Sequence, residues 1–85
     1  MDIRIEPHTL ERAKERGTNE KGIRDVITNG VEVPAKYGRA GKAKVYEYQQ
    51  TRLGKYYPQK RVEVIYVKEN DTIITITVYV FYGEW

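Results

Sequence analysis

His8, Arg12 and Arg16 stand four residues apart near the start of the chain, so on a helix one imidazole and two guanidiniums project from the same side. An imidazole moves a proton near neutral pH, and fixed guanidiniums stabilise charge building on a phosphoryl group. The trio therefore fits phosphodiester chemistry. The same spacing also suits a solvated helix in which the arginines pair with Glu11, Glu15 and Glu20.

A second candidate lies in the middle of the chain. Residues 36 to 61 carry Lys36, Arg39, Lys42, Lys44, Arg52, Lys55, Lys60 and Arg61 against Glu47 alone, whereas residues 1 to 34 hold six cations and seven acids. Tyr37, Tyr46, Tyr48, Tyr56 and Tyr57 are interleaved with those cations. Charges for phosphates and rings for bases thus share one stretch. A lysine-rich edge that resists aggregation, with tyrosines as ordinary strand residues, is the plainer account of the same pattern.

Other chemistries find less support. There is no Cys nucleophile, no readable Ser/His/Asp arrangement, no GxxxxGK phosphate loop and no acid pair suited to glycoside cleavage. Gly38 to Lys42 is a short basic, glycine-rich loop without the spacing of a phosphate-loop fingerprint. The carboxylates are scattered, so a nuclease built on this chain is expected to work without metal, and no cofactor is expected.

The elements that position these residues follow from caps and periodicity. Pro7 suits a first helical position and Gly17 a C-terminal cap, predicting a helix over 7–16 with Leu10 and Ala13 as a slim apolar strip. Thr18 is expected to cap a second helix that ends at Asn29–Gly30, with Ile23, Val26 and Ile27 as its buried stripe. The period then falls to two around Val31, Val45, Val62 and Ile74, predicting strands, with loops over 37–42 and 51–58 and a tight turn at Glu69–Thr72. In the hairpin over 60–82, Val62, Val64 and Tyr66 should share a core face with Ile74, Ile76, Val78 and Val80. Arg61, Glu63, Thr75, Thr77 and Tyr79 should face the other way. The expected fold is α+β: two short N-terminal helices packed on an antiparallel four- to five-stranded sheet.

Eighty-five residues leave room for a single domain, spanning 1–85. Without cysteine, and with one histidine, neither disulfides nor a structural zinc site staples it. No window approaches the roughly 18 apolar residues of a membrane span, so a cytoplasmic protein without membrane contact is expected.

From His8 through Arg12 to Arg16–Gly17, then the helix ending at Asn29–Gly30, the basic middle, Lys60–Arg61–Val62–Glu63–Val64 and Ile74–Thr75–Ile76–Thr77–Val78, the chain resembles the domain of unknown function 4258 family. That family is similar to small ribonuclease toxins of the barnase, colicin and RelE type of fold. The resemblance implies a metal-independent endoribonuclease, the toxin of a toxin-antitoxin pair. It would cleave RNA by attack of a 2′-hydroxyl on the adjacent phosphate, leaving a cyclic phosphate and a 5′-hydroxyl. It further implies His8 as the general acid/base, Arg12, Arg16 and Lys60 as stabilisers of the phosphate charge, and Thr77 as a hydrogen-bond donor. Lys36, Arg39, Lys42, Lys44 and Arg61 are the expected RNA-binding cations.

Two readings of other classes compete. One is a non-catalytic nucleic-acid-binding domain that uses the basic belt alone. The other is an interaction module forming a homodimer, suggested by the aromatic run Tyr79 to Trp85. A spatial condition also bears on the site. Thr77 and Arg61 are expected on the sheet face away from the helices, so His8 would reach the strand residues only around an end of the sheet.

Overall fold

Gly17 is where the backbone dictates the residue. It ends helix α1 (Pro7–Arg16) in the left-handed conformation, φ 103° and ψ 31°, and its N–H and that of Thr18 both close on the Ala13 carbonyl at 2.9 Å. The computed structural model describes residues 2–85. Its second helix, α2 (Glu20–Asn29), is capped by Asn19 and not, as expected, by Thr18: Asn19 Oδ1 accepts from the Gly22 N–H at 2.9 Å. The Thr18 hydroxyl lies instead in the space that a Cβ at Gly22 would occupy.

Five strands follow the order β1-β5-β4-β3-β2, namely β1 (Asp2–Arg4), β2 (Val31–Val33), β3 (Ala40–Arg52), β4 (Lys55–Glu69) and β5 (Thr72–Gly83). The architecture is α+β, as the periodicity predicts, but the sheet is mixed. The three residues of β1 run parallel to β5 through Asp2, Ile3 and Arg4 opposite Thr72, Ile73 and Ile74. A three-residue strand carries too little alternation to betray itself.

Most of the segment 51–58, expected as a loop, is strand. Only Leu53 and Gly54 turn, both at positive φ (52° and 82°), which matches the twist of a two-residue hairpin. The loop expected over 37–42 lies earlier, over 34–39, since β3 starts at Ala40 and Gly41 is buried where a Cβ would press on Val33 and Ile65. The turn at Asn70–Asp71 falls where the sequence places it.

The helices cover one face of the sheet. Ala13, Ile23, Val26 and Ile27 pack on Val62, Val64, Tyr66, Ile73 and Val78 to form the core. On α1 the buried partner of Ala13 is Thr9, while Leu10 remains 37% exposed. A bulge in β5 overturns part of the expected facing. Ile65 pairs with Thr77 but Tyr66 pairs with Thr75, so Ile76 is skipped and the alternation inverts. Before the bulge Ile73 and Thr75 point to the core; beyond it Val78 and Val80 do. Ile74 and Ile76 are therefore not core residues, and Thr75 is fully buried instead of lying on the polar face.

Thr75 is satisfied there because its Oγ1 accepts from the Glu6 N–H and donates to Thr9 Oγ1, each at 3.0 Å. Thr75→Val keeps the shape but orphans both groups. We expect it to lower unfolding free energy by about 1–3 kcal/mol in urea melts, against near-neutrality if water reaches the pair.

Candidate functional site

α1 runs beside β5, and its two ends meet different chemistry. β1 covers β5 only as far as Ile74, so beyond that point this side of β5 has no strand partner among the described residues. The open carbonyls are taken by the side chains that the sequence singled out. His8 Nε2 lies 2.7 Å from the Ile76 carbonyl, and Arg16 Nη1 donates to the Val78 carbonyl at 2.6 Å. A carbonyl only accepts, so His8 Nε2 carries hydrogen and Nδ1 is the nitrogen left to take a proton. Between them Arg12 pairs with Glu15 at 3.4 Å. Thr77 sits between the two gripped carbonyls but on the outward face, opposite Ile65. The structure thus gathers His8, Arg12, Arg16 and Thr77 along one sheet edge, with His8 and Arg16 closing that edge.

Lys60 is elsewhere. With Tyr46 and Tyr82 as cross-strand neighbours, it faces the helices at the C-terminal end of α1. Three side chains satisfy the last carbonyls of that helix: Arg52 donates to Glu15 O at 3.1 Å, Tyr82 to Arg16 O at 2.6 Å, and Lys60 to Gly17 O at 2.7 Å. Tyr82 also anchors an aromatic cluster, with ring centroids 5.0 Å from Tyr48 and 5.6 Å from Tyr57. The Arg52 guanidinium stacks 4.7 Å from the Tyr82 ring, and the Lys60 ammonium lies 5.9 Å from Tyr48.

Arg52 and Lys60 are held by neutral carbonyls and make no ion pair among the described residues, so their charge stays uncompensated. Burial, and then the Arg52 charge, pull the Lys60 pKa below its ordinary value. Burial raises that of Tyr82, against the opposing pull of Arg52, which keeps its phenol protonated at neutral pH. On its other side Lys60 borders a cleft of about 450 Å³ at the start of α2, lined also by Thr18, Lys21, Asp25 and Tyr46. His8 and Gly17 are nine residues apart on one helix, a rise of about 13 Å, so the two ends cannot act on the same phosphate.

The sequence profile of the family described as Domain of unknown function (DUF4258) matches residues 5–80. The chain belongs to that family. Nothing among curated proteins or solved structures matches it. The DUF4258 span takes in all of α1, Arg52 and Lys60, and stops two residues short of Tyr82.

In this DUF4258 chain the expected RNA-binding cations do not form one surface. Lys44 faces the helices and pairs with Asp25 at 2.7 Å, whereas Arg61 lies on the opposite face and pairs with Glu63 at 2.8 Å. Lys42 sits opposite Glu32, and Lys36 and Arg39 lie in or beside the β2–β3 connection. Arg52, Tyr48 and Tyr57 belong to the basic, tyrosine-rich stretch that the sequence offers as a candidate, but their convergence on Tyr82 at the end of α1 has no signal in the sequence, because the register that brings Tyr82 to Lys60 lies beyond a bulge.

Asp25 holds that side of the cleft together. Hydrogen bonds from Lys44, then Tyr46, then Asn29 keep its carboxyl well below the usual carboxylate range, and burial with Asp25 raises the Tyr46 pKa. A depressed folded pKa means stability present above the unfolded value of about 4 and lost as pH falls below it. Asp25→Asn should therefore be less stable than wild type at pH 7, with the gap closing below about pH 4 in chemical melts. A gap independent of pH would show the carboxylate network contributes nothing.

Proposed function

We propose that this chain is a metal-independent ribonuclease acting on single-stranded RNA at the C-terminal end of α1, with Lys60, Arg52 and Tyr82 at its centre. The observation that carries the reading is the pair of uncompensated cations, Arg52 and Lys60, fixed by helix carbonyls beside the Tyr48–Tyr57–Tyr82 rings. Cations without acid partners attract a phosphate, and the half-buried rings beside them can stack bases in a sequence-tolerant way.

In the proposed reaction Lys60, in the fraction of molecules where it has shed its proton, takes the proton of the 2′-hydroxyl. The 2′-oxygen bonds to phosphorus as the bond from phosphorus to the 5′-oxygen breaks, and the Tyr82 phenol protonates that leaving oxygen. Arg52 stabilises the anion between. The toxin role, an antitoxin protein as partner and a cytoplasmic setting belong to the same proposal. Among the described residues no helix is long and apolar enough to cross a membrane.

One observation favours a non-catalytic RNA-binding role. Lys60 and Tyr82 both donate to α1 carbonyls, so each must release its bond to take part in proton transfer.

The experiment is incubation of the purified chain with single-stranded RNA in EDTA, wild type beside His8→Ala, with the product ends determined. Cyclic-phosphate ends that persist in His8→Ala support the site at the C-terminal end of α1. Loss of cleavage in a folded His8→Ala protein moves the chemistry to the β5 edge. Salt-sensitive binding with intact RNA leaves the cluster as a docking surface.

A further inference from the structure

Both helices lie on one face of the sheet, and among the described residues no element covers the other. The cross-strand register writes that bare face out in rows: Val31, Ala43, Glu63 and Tyr79; Val33, Gly41, Ile65 and Thr77; Val45, Arg61 and Phe81. One face of an antiparallel sheet commonly meets water, and then its residues are polar. These three rows are apolar except for Thr77 and one ion pair, and the next row, Glu47, Gln59 and Gly83, closes the patch with a polar margin. Val31 is 69% exposed, Phe81 45% and Tyr79 41%, and the last two rings stack with centroids 6.3 Å apart.

We infer that this face is the self-association surface of the chain, packing sheet on sheet against the same face of a second copy. Charge selects that occupant. The chain carries a net charge of +3, yet in the middle of this face the described charges are Arg61 and Glu63, which cancel each other at 2.8 Å; Arg16 reaches only the margin, 5.2 Å from the Tyr79 ring. A strongly charged partner would find little in the middle of the face to complement, whereas two copies meet there without like-charge repulsion. The pair already lies mostly out of water, at 27% and 18% side-chain exposure, so covering it removes little further hydration.

Area agrees with this. Four strands at about 4.8 Å spacing and six to seven residues at about 3.3 Å give a face of roughly 19 by 21 Å, about 400 Å² per copy before side-chain relief. Two such faces reach about 800 Å², the size of a weak, transient contact, so the dimer should be reversible and concentration-dependent. In that arrangement the Lys60 clusters point outward on opposite sides, and the inference stands whether or not they cleave RNA.

The test is sedimentation equilibrium from low micromolar to near-millimolar chain, on wild type, Tyr79→Lys and Phe81→Lys, with circular dichroism melts as the fold control. The expected result is wild type moving from the 10.0 kDa chain mass to twice that value, and both folded variants staying monomeric. Because the chain has no cysteine, Phe81→Cys and Leu53→Cys give a second reading through a short bis-thiol cross-linker. Phe81→Cys should form covalent dimers, and Leu53→Cys, at the far hairpin tip, should not. A wild-type monomer at every concentration overturns the inference and leaves the face to a different protein. A dimer that persists in both folded lysine variants also overturns it, placing the contact elsewhere.

Discussion

Lys60→Ala is expected to lower EDTA-resistant cleavage of single-stranded RNA by about 100- to 10,000-fold, the scale that a positioned general base contributes. The helix end should survive the change, since Arg52 and Tyr82 still hold Glu15 O and Arg16 O. Lys60→Arg separates two roles. It keeps a cation beside Tyr48 and should retain RNA binding, but a guanidinium does not give up its proton, so cleavage should remain low. The pH profile carries the same signature. Burial and Arg52 lower the Lys60 pKa, so the neutral amine becomes available at a pH below the ordinary value of about 10.4, and the wild-type rate should rise toward that alkaline limb. Cleavage by Lys60→Ala at the wild-type rate would remove Lys60 from the reaction, whatever the fate of binding.

Gly17→Ala should be the most damaging small substitution in the fold. At φ 103° an L side chain is strained, and a Cβ there would collide with the Tyr82 hydroxyl, whose bond to Arg16 O fixes its place. Strain of about 1–2 kcal/mol combines with an overpacking cost of about 1–3 kcal/mol, so urea melts should show a loss of roughly 2–5 kcal/mol. Tyr82→Phe removes the obstructing oxygen. The double variant should therefore be more stable than Gly17→Ala alone, a coupling that a thermodynamic cycle measures directly. If the two changes simply add, the collision is relieved by ring movement and only the backbone strain remains. Because Tyr82 stacks on Tyr48 and Arg52, the same variant should also weaken RNA binding.

The helices were legible in the sequence because their signals are local. Pro7, Gly17 and Gly30 mark the ends, and Ile23, Val26 and Ile27 repeat at the helical period, so neither helix needed knowledge of what it packs against. The middles of the strands and the turn at Asn70–Asp71 were legible for the same reason. The strand ends meeting at Leu53–Gly54 were not, because Gly54 and Pro58 mark a loop in sequence terms and only the pairing of β3 with β4 extends the hairpin through them. His8, Arg12 and Arg16 could be placed on one side of α1 from spacing alone.

What they touch was decided by tertiary structure. The skipped Ile76 inverts the facing of half of β5, burying Thr75 and moving Ile74 and Ile76 out of the core. A bulge is a property of two strands in register, and no single strand encodes it. The site divides for a like reason. Lys60 is far from the N-terminus in sequence, and only the β4–β5 pairing carries it under Gly17, at the end of α1 away from His8. The aromatic and cationic cluster exists only where β3, β4, β5 and the last turn of α1 converge. Local sequence determines elements through short-range sterics and periodicity; which charges meet depends on register and packing, which are set by the whole chain at once.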